Sequence, residues 1–138
     1  GASTASALGL DILDSAQTVV IAPSNPLVSI APLRALQGVD AALTRRRESV
    51  VAISPIIAGA ALKGPADRLM TELGHESSVV GVAKLYAPIC GTLIIDTADA
   101  HLASKVEAEG MRCVVVDTVM STPEKSQHLA RTTLESAR

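Results

Sequence analysis

VVIAPSNPLVSIAPL, Val19 to Leu33, passes from a wholly apolar run into the start of a helix. The loop between them, Pro23–Ser29, holds two prolines, two serines and an asparagine, and no glycine. The apolar run, Thr18–Ala22, shows no polar alternation, the pattern of a strand buried on both faces. Such a strand followed at once by a helix opens a βαβ unit, and the rest of the chain continues that alternation. Ser49–Ser54 (SVVAIS), Thr92–Asp96 (TLIID) and Arg112–Asp117 (RCVVVD) read as three further strands. Helices are expected at Ala5–Ser15, Ser29–Leu36, Val39–Arg46, Ala66–Leu73 and Pro123–Ser136. Pro65 and Gly74 bracket the fourth of these as a helix start and stop should be bracketed. Ser78–Tyr86 fits a helix slightly better than a strand. Asp99 reads as the N-cap of a helix to Glu109, closed by Gly110. The class is α/β, a parallel sheet with right-handed crossovers.

Composition agrees. Apolar residues are 48% of the 138 residues and aromatics 1%, with one Tyr and no Phe or Trp. The core must be Val, Ile, Leu and Ala, which suits a parallel sheet between helices. Single-stranded nucleic acid is held on aromatic platforms, which this chain lacks. A formal net charge of −2 offers phosphodiester backbones no basic field. Cys90 and Cys113 have no CxxC spacing and read as buried small hydrophobes in a reducing compartment. No segment reaches the length of a membrane span and no signal peptide leads the chain, so a cytoplasmic protein is expected.

Ligands of such sheets bind beyond the carboxyl ends of the strands. The chemistry-bearing residues cluster there. After the first strand, Ser24, Asn25 and Ser29 offer donors, and the helix start behind them favours an anion. An anion site and a plain capped turn are equally supported by these residues alone. After the second strand, Ser54 leads through Gly59 to Lys63 and Gly64. Lys63 stands just before a glycine and a helix start, where it is either a phosphate contact or a solvated lysine. Asp96, Asp117 and Thr118 stand at the ends of the last two strands, and the aspartates could orient a metal, a ribose or a base edge. Asp99 reads as a helix cap. Arg45-Arg46-Arg47 reads as a solvated helix end, Tyr86 as a half-buried packing residue, and His75, His101 and His128 share no ligand spacing. No catalytic residue and no metal ligand emerges.

Ala22–Ile30 (APSNPLVSI), Ser54–Asp67 (SPIIAGAALKGPAD), Gly81–Tyr86 (GVAKLY), Ile94–Ala100 (IIDTADA) and Asp117–Met120 (DTVM) together resemble, in that order, the 2-phospho-L-lactate transferases of coenzyme F-420 synthesis. The resemblance runs from about Ser15 to the final helix. It implies a Rossmann-like three-layer fold with helices on both faces of the sheet. It also implies a magnesium-dependent transfer from the guanosine diphosphate ester of a three-carbon acid to the deazaflavin alcohol Fo, with release of GMP. The acid phosphate would be 2-phospho-L-lactate or phosphoenolpyruvate. The nucleotide phosphates would lie near Ser24, Asn25 and Ser29, with Ser54, Lys63 and Gly64 close by. Chemistry would come from positioning and charge stabilisation.

In that family a glycine-rich first loop and an acidic residue for metal and Fo come from an N-terminal half, and nothing here matches them. Residues 1–138 are therefore expected to be a single segment, the C-terminal part of a longer Rossmann-like domain. Its N-terminal half would be its partner, and the segment alone would be inactive. A homodimer is expected from the resemblance and from the apolar Ser78–Ile89. The alternative is a non-catalytic nucleotide-sugar-binding regulator of the gluconeogenesis-factor type. Those proteins carry a Gln-Pro-Gly-containing loop where this chain has SPIIAGAALKGPAD, which favours the enzyme.

Overall fold

The computed structural model describes residues 17–23, 26, 30–36, 38–58, 60–61, 70–71, 74 and 76–136. In chain order its elements are β1 Val19–Ile21, α1 Ala31–Arg34, α2 Val39–Arg45, β2 Val50–Ile53, β3 Ile56–Ile57, β4 Ala60–Ala61, α3 Val79–Tyr86, β5 Thr92–Asp96, α4 Ala103–Ala108, β6 Arg112–Val116 and α5 Pro123–Ser136. Short 3-10 stretches precede β2, over Arg47–Ser49, and α4, over Thr97–Leu102. The helix expected over residues 5–15 lies outside the described residues. Of the one expected over 66–73, Met70 and Thr71 are described, and both are helical.

Strands β1, β2, β5 and β6 lie side by side in that order, all parallel, in register through Val20↔Val51, Ala52↔Leu93 and Ile94↔Val114. The α/β, Rossmann-like expectation is borne out. Alternation along each strand divides the sheet's side chains between two faces. Val50, Ala52, Leu93 and Ile95 face a core completed by Leu43 of α2, Val79, Val82 and Tyr86 of α3, and Val106 of α4. Val51, Ile53 and Ile94 face the other way and meet Leu129 of α5. The chain steps across the sheet in one direction. Right-handed crossovers therefore put its connecting helices on one face, and α5, after the last strand, returns to the other.

Local chemistry decides the ambiguous stretch. Ser78 is an N-cap whose Oγ accepts from the amides of Val80 and Gly81 at 3.1 and 3.3 Å, so the residues after it are helix. Most of its apolar positions are buried in the larger core, Tyr86 completely rather than by half, and Leu85 and Ala87 pack against that core partly buried. The apolar content of Ser78–Ile89, one motive for expecting a homodimer, is thus turned inward.

A second difference lies at the amino ends of the strands. Arg47 is not a solvated helix end. Its Nε donates to Ala87 O at 2.6 Å and its Nη2 to Gly110 O, satisfying carbonyls at the C-terminal ends of α3 and α4. Arg112 reaches Thr92 Oγ1 at 3.1 Å and Glu48 O at 3.2 Å. Cys90 is buried as expected, while Cys113 is only half-buried. Burial pushes both thiols up to about 11. No helix among the described residues is long and apolar enough to cross a membrane.

Candidate functional site

The carboxyl ends of the strands carry the polar residues that remain. Of the residues singled out from the sequence, Ser24, Asn25, Ser29, Lys63 and Gly64 lie outside the described residues. Ser54, Asp96, Asp117 and Thr118 are described.

Ser54 is buried at the tip of β2. Its amide donates to Ile94 O at 2.9 Å, extending the β2–β5 ladder by one bond. Its Oγ accepts from Ile56 N at 3.1 Å and lies 3.2 Å from Ile56 O. The hydroxyl thereby closes a tight turn into a small antiparallel hairpin, β3–β4, that pairs Ile56 with Ala61 and Ile57 with Ala60. No strand is expected over this stretch from the sequence.

Asp96 closes β5 and is 6% exposed. Its Oδ1 accepts from Thr118 N at 2.9 Å and Thr118 Oγ1 at 3.1 Å. Its Oδ2 accepts from Ala98 N at 2.9 Å and Thr97 Oγ1 at 3.5 Å. Burial by itself would raise the carboxyl's pKa. The bonds from Ala98 and Thr118, with that from Thr97, outweigh burial and hold it below the ordinary aspartate value. Asp96 is thus the N-cap of the 3-10 turn and the anchor of the loop after β6. Asp117, one residue upstream of Thr118, is exposed. It accepts from Val119 N at 2.9 Å and pairs with Lys125 at 3.3 Å.

Asp99 was read as a helix cap, and the structure corrects this. The helical stretch starts at Thr97 under Asp96, and Asp99 falls inside its first turn. Its carboxylate, 2% exposed, accepts from Ala58 N at 3.2 Å on Oδ1 and 3.0 Å on Oδ2. The two aspartates of Asp96-Thr97-Ala98-Asp99 thus hold the loops of both neighbouring strands, after β6 and after β2. Two carboxylates three apart just past a strand were the available sign. Their opposite reach was not, since the partners are 22 and 41 residues away.

The same bonds bear on magnesium. That ion takes octahedral oxygen ligands, among them one or two carboxylates with free lone pairs. Asp96 and Asp99 direct theirs at amides and hydroxyls, and no group of three or more His, Cys, Asp or Glu among the described residues could hold a metal. The described residues do not fit a magnesium centre.

With this geometry in hand, comparison with known proteins is specific. The family model described as 2-phospho-L-lactate transferase CofD matches residues 2–134. A phosphoenolpyruvate transferase of Kitasatospora aureofaciens is 38% identical over 129 residues, covering 93% of this chain and 40% of that protein. A 2-phospho-L-lactate transferase of Methanosarcina barkeri is 39% identical over 121 residues, covering 88% of this chain and 38% of that protein. One of Methanocaldococcus jannaschii is 32% identical over 126 residues, covering 91% and 39%. The chain spans about 40% of the length of these curated relatives.

Proposed function

The chain belongs to the 2-phospho-L-lactate transferase CofD family, and from that premise we propose that it is the nucleotide-binding part of a cytoplasmic transferase of coenzyme F-420 synthesis. The donor is the guanosine diphosphate ester of a three-carbon acid, the acid phosphate transferred is 2-phospho-L-lactate or phosphoenolpyruvate, and the acceptor is Fo. The terminal hydroxyl oxygen of Fo forms a new bond to the acid-bearing phosphorus as the bond from that phosphorus to the bridging oxygen breaks. The hydroxyl loses its proton, and GMP departs with the bridging oxygen. Magnesium enters this proposal from the resemblance alone, and no step here is assigned to it. The acceptor half of the site would come from the N-terminal half of the same protein, and the working unit would be a homodimer.

The observation that carries the reading is the family match along nearly the whole chain, joined to an α/β sheet whose polar loops gather at the carboxyl strand ends. In this reading the diphosphate rests on amides and side chains of Ser24, Asn25 and Ser29, with Ser54, Lys63 and Gly64 on the adjacent loop. A lysine contact to a phosphate is charge-assisted. Lys63→Ala is expected to weaken GDP binding by about 1–3 kcal/mol, read by titration calorimetry on the whole polypeptide. Unchanged affinity would remove Lys63 from the site.

A further inference from the structure

Ala58 is the only non-glycine residue with positive φ among the described residues, at +51°. A left-handed backbone is strained for a residue with a Cβ and persists only where the surroundings impose it. Ala58 is exposed, so side-chain packing does not impose it. What meets it is Asp99: a carboxylate 2% exposed, on a 3-10 turn anchored by Asp96, with both oxygens on the Ala58 amide. A loop amide that donates to a buried acceptor is costly to leave unpaired, so this contact is a strong local constraint. Ala58 sits in the turn of the β3–β4 hairpin, two residues past Ile56, which Ser54 already fixes. In sequence, Lys63 follows two residues after the end of β4.

We propose that Asp99 is a positioning residue for nucleotide binding. It holds the turn of the β3–β4 hairpin in its left-handed form and so sets the direction in which the loop after β2 leaves the sheet. The inference rests on the nucleotide-binding reading above, because the loop it sets is the one assigned to the diphosphate. Asp99 itself touches no ligand in this account. Its role is that of an acceptor for one amide, and neither its charge nor a metal bond is required.

The test is GDP affinity by calorimetry on the whole polypeptide, at a temperature where thermal unfolding shows each variant folded. Asp99→Ala is expected to bind about tenfold more weakly or worse. Asp99→Asn keeps an oxygen that accepts from Ala58 N and is expected to stay within about threefold of the parent. Ala58→Gly, which takes positive φ without strain, is expected to recover part of the loss in the Asp99→Ala background. Should Asp99→Ala fail to fold, Ala58→Val decides. It penalises the left-handed turn from an exposed position and is expected to weaken GDP in the same way. Failure of the parent chain to bind GDP would bring down the nucleotide reading and this inference with it. A parent that binds, beside an Asp99→Ala or Ala58→Val variant that binds equally well, would overturn the positioning role alone. Asp99→Asn as damaging as Asp99→Ala would reassign Asp99 to a charge or metal role, and also overturn it.

Discussion

Asp96 is a nearly buried carboxylate kept ionised by the bonds it accepts. Because those bonds depress its folded pKa below the unfolded value, the folded state binds fewer protons than the unfolded one in acid. The stabilisation is complete above the unfolded aspartate value, about 3.9, and is lost as pH falls through the lower folded value. Asp96→Asn should therefore lower the urea midpoint at neutral pH, and the gap from the parent should close below about pH 4. A gap as wide at pH 3 as at pH 7 would mean that Asp96 is not the ionised anchor described. Residue roles of this kind are the least legible in a sequence. That carboxylates stand at strand ends is visible in IIDTADA. Which turns inward and which stays in water depends on partners far away in the chain. Asp99 and Asp117 look alike on paper, yet one is buried against an amide and the other pairs with Lys125 in solvent. Tyr86 is a similar case: it is fully buried, and its hydroxyl has no hydrogen-bond partner among the described residues.

At the scale of elements, the strands were the most legible because continuous β-branched runs occur in little else. TLIID is a strand from end to end. RCVVV forms one that stops a residue short of Asp117, and TVVIA one that is trimmed by a residue at each end. The β3–β4 hairpin escaped notice because two-residue strands carry no periodicity. Gly81 shows what a pattern cannot convey. It stands in the first turn of α3, where helix propensity alone would favour alanine by about 1 kcal/mol. A Cβ there would collide with the backbone oxygen of Glu76 and meet the Met70 methyl at 3.0 Å. The approach of the preceding turn to α3 therefore requires glycine. Gly81→Ala is expected to destabilise the fold by about 1–3 kcal/mol as an overpacked site, read from the chemical unfolding midpoint. A gain in stability would show that propensity outweighs the contact and that the turn before α3 can move away.

Across the whole molecule, the two faces of the sheet are built by different parts of the chain. The larger core draws on α2, α3 and α4, which connect successive strands. The smaller one, around Val51, Ile53 and Ile94, is covered among the described residues by α5. The connecting helices could be foreseen from the βαβ rhythm, and so could a site at the carboxyl edge. The weight on α5 could not, because Pro123–Ser136 reads as a polar helix, with apolar side chains few and far apart. Its cover is economical: Leu129 and Thr133 are buried, Leu134 is 59% exposed, and a cavity of about 280 Å³ bounded by Val20, Ile53, Met120 and Leu129 remains beside it. Removing α5 by ending the chain after Ser121 would expose side chains of β2 and β5 that are now buried. Each is worth roughly 1.5–3 kcal/mol when fully buried, and together they approach the whole stability of a small domain, about 5–15 kcal/mol. The shortened chain is expected to lose its cooperative thermal transition, to bind a hydrophobic dye strongly and to self-associate. Leu129→Ala, a single cavity in the same layer, is expected to cost about 2–5 kcal/mol while keeping the transition cooperative. A truncated chain that stays monomeric, binds no dye and melts as sharply as the parent would show that the second face does not depend on α5.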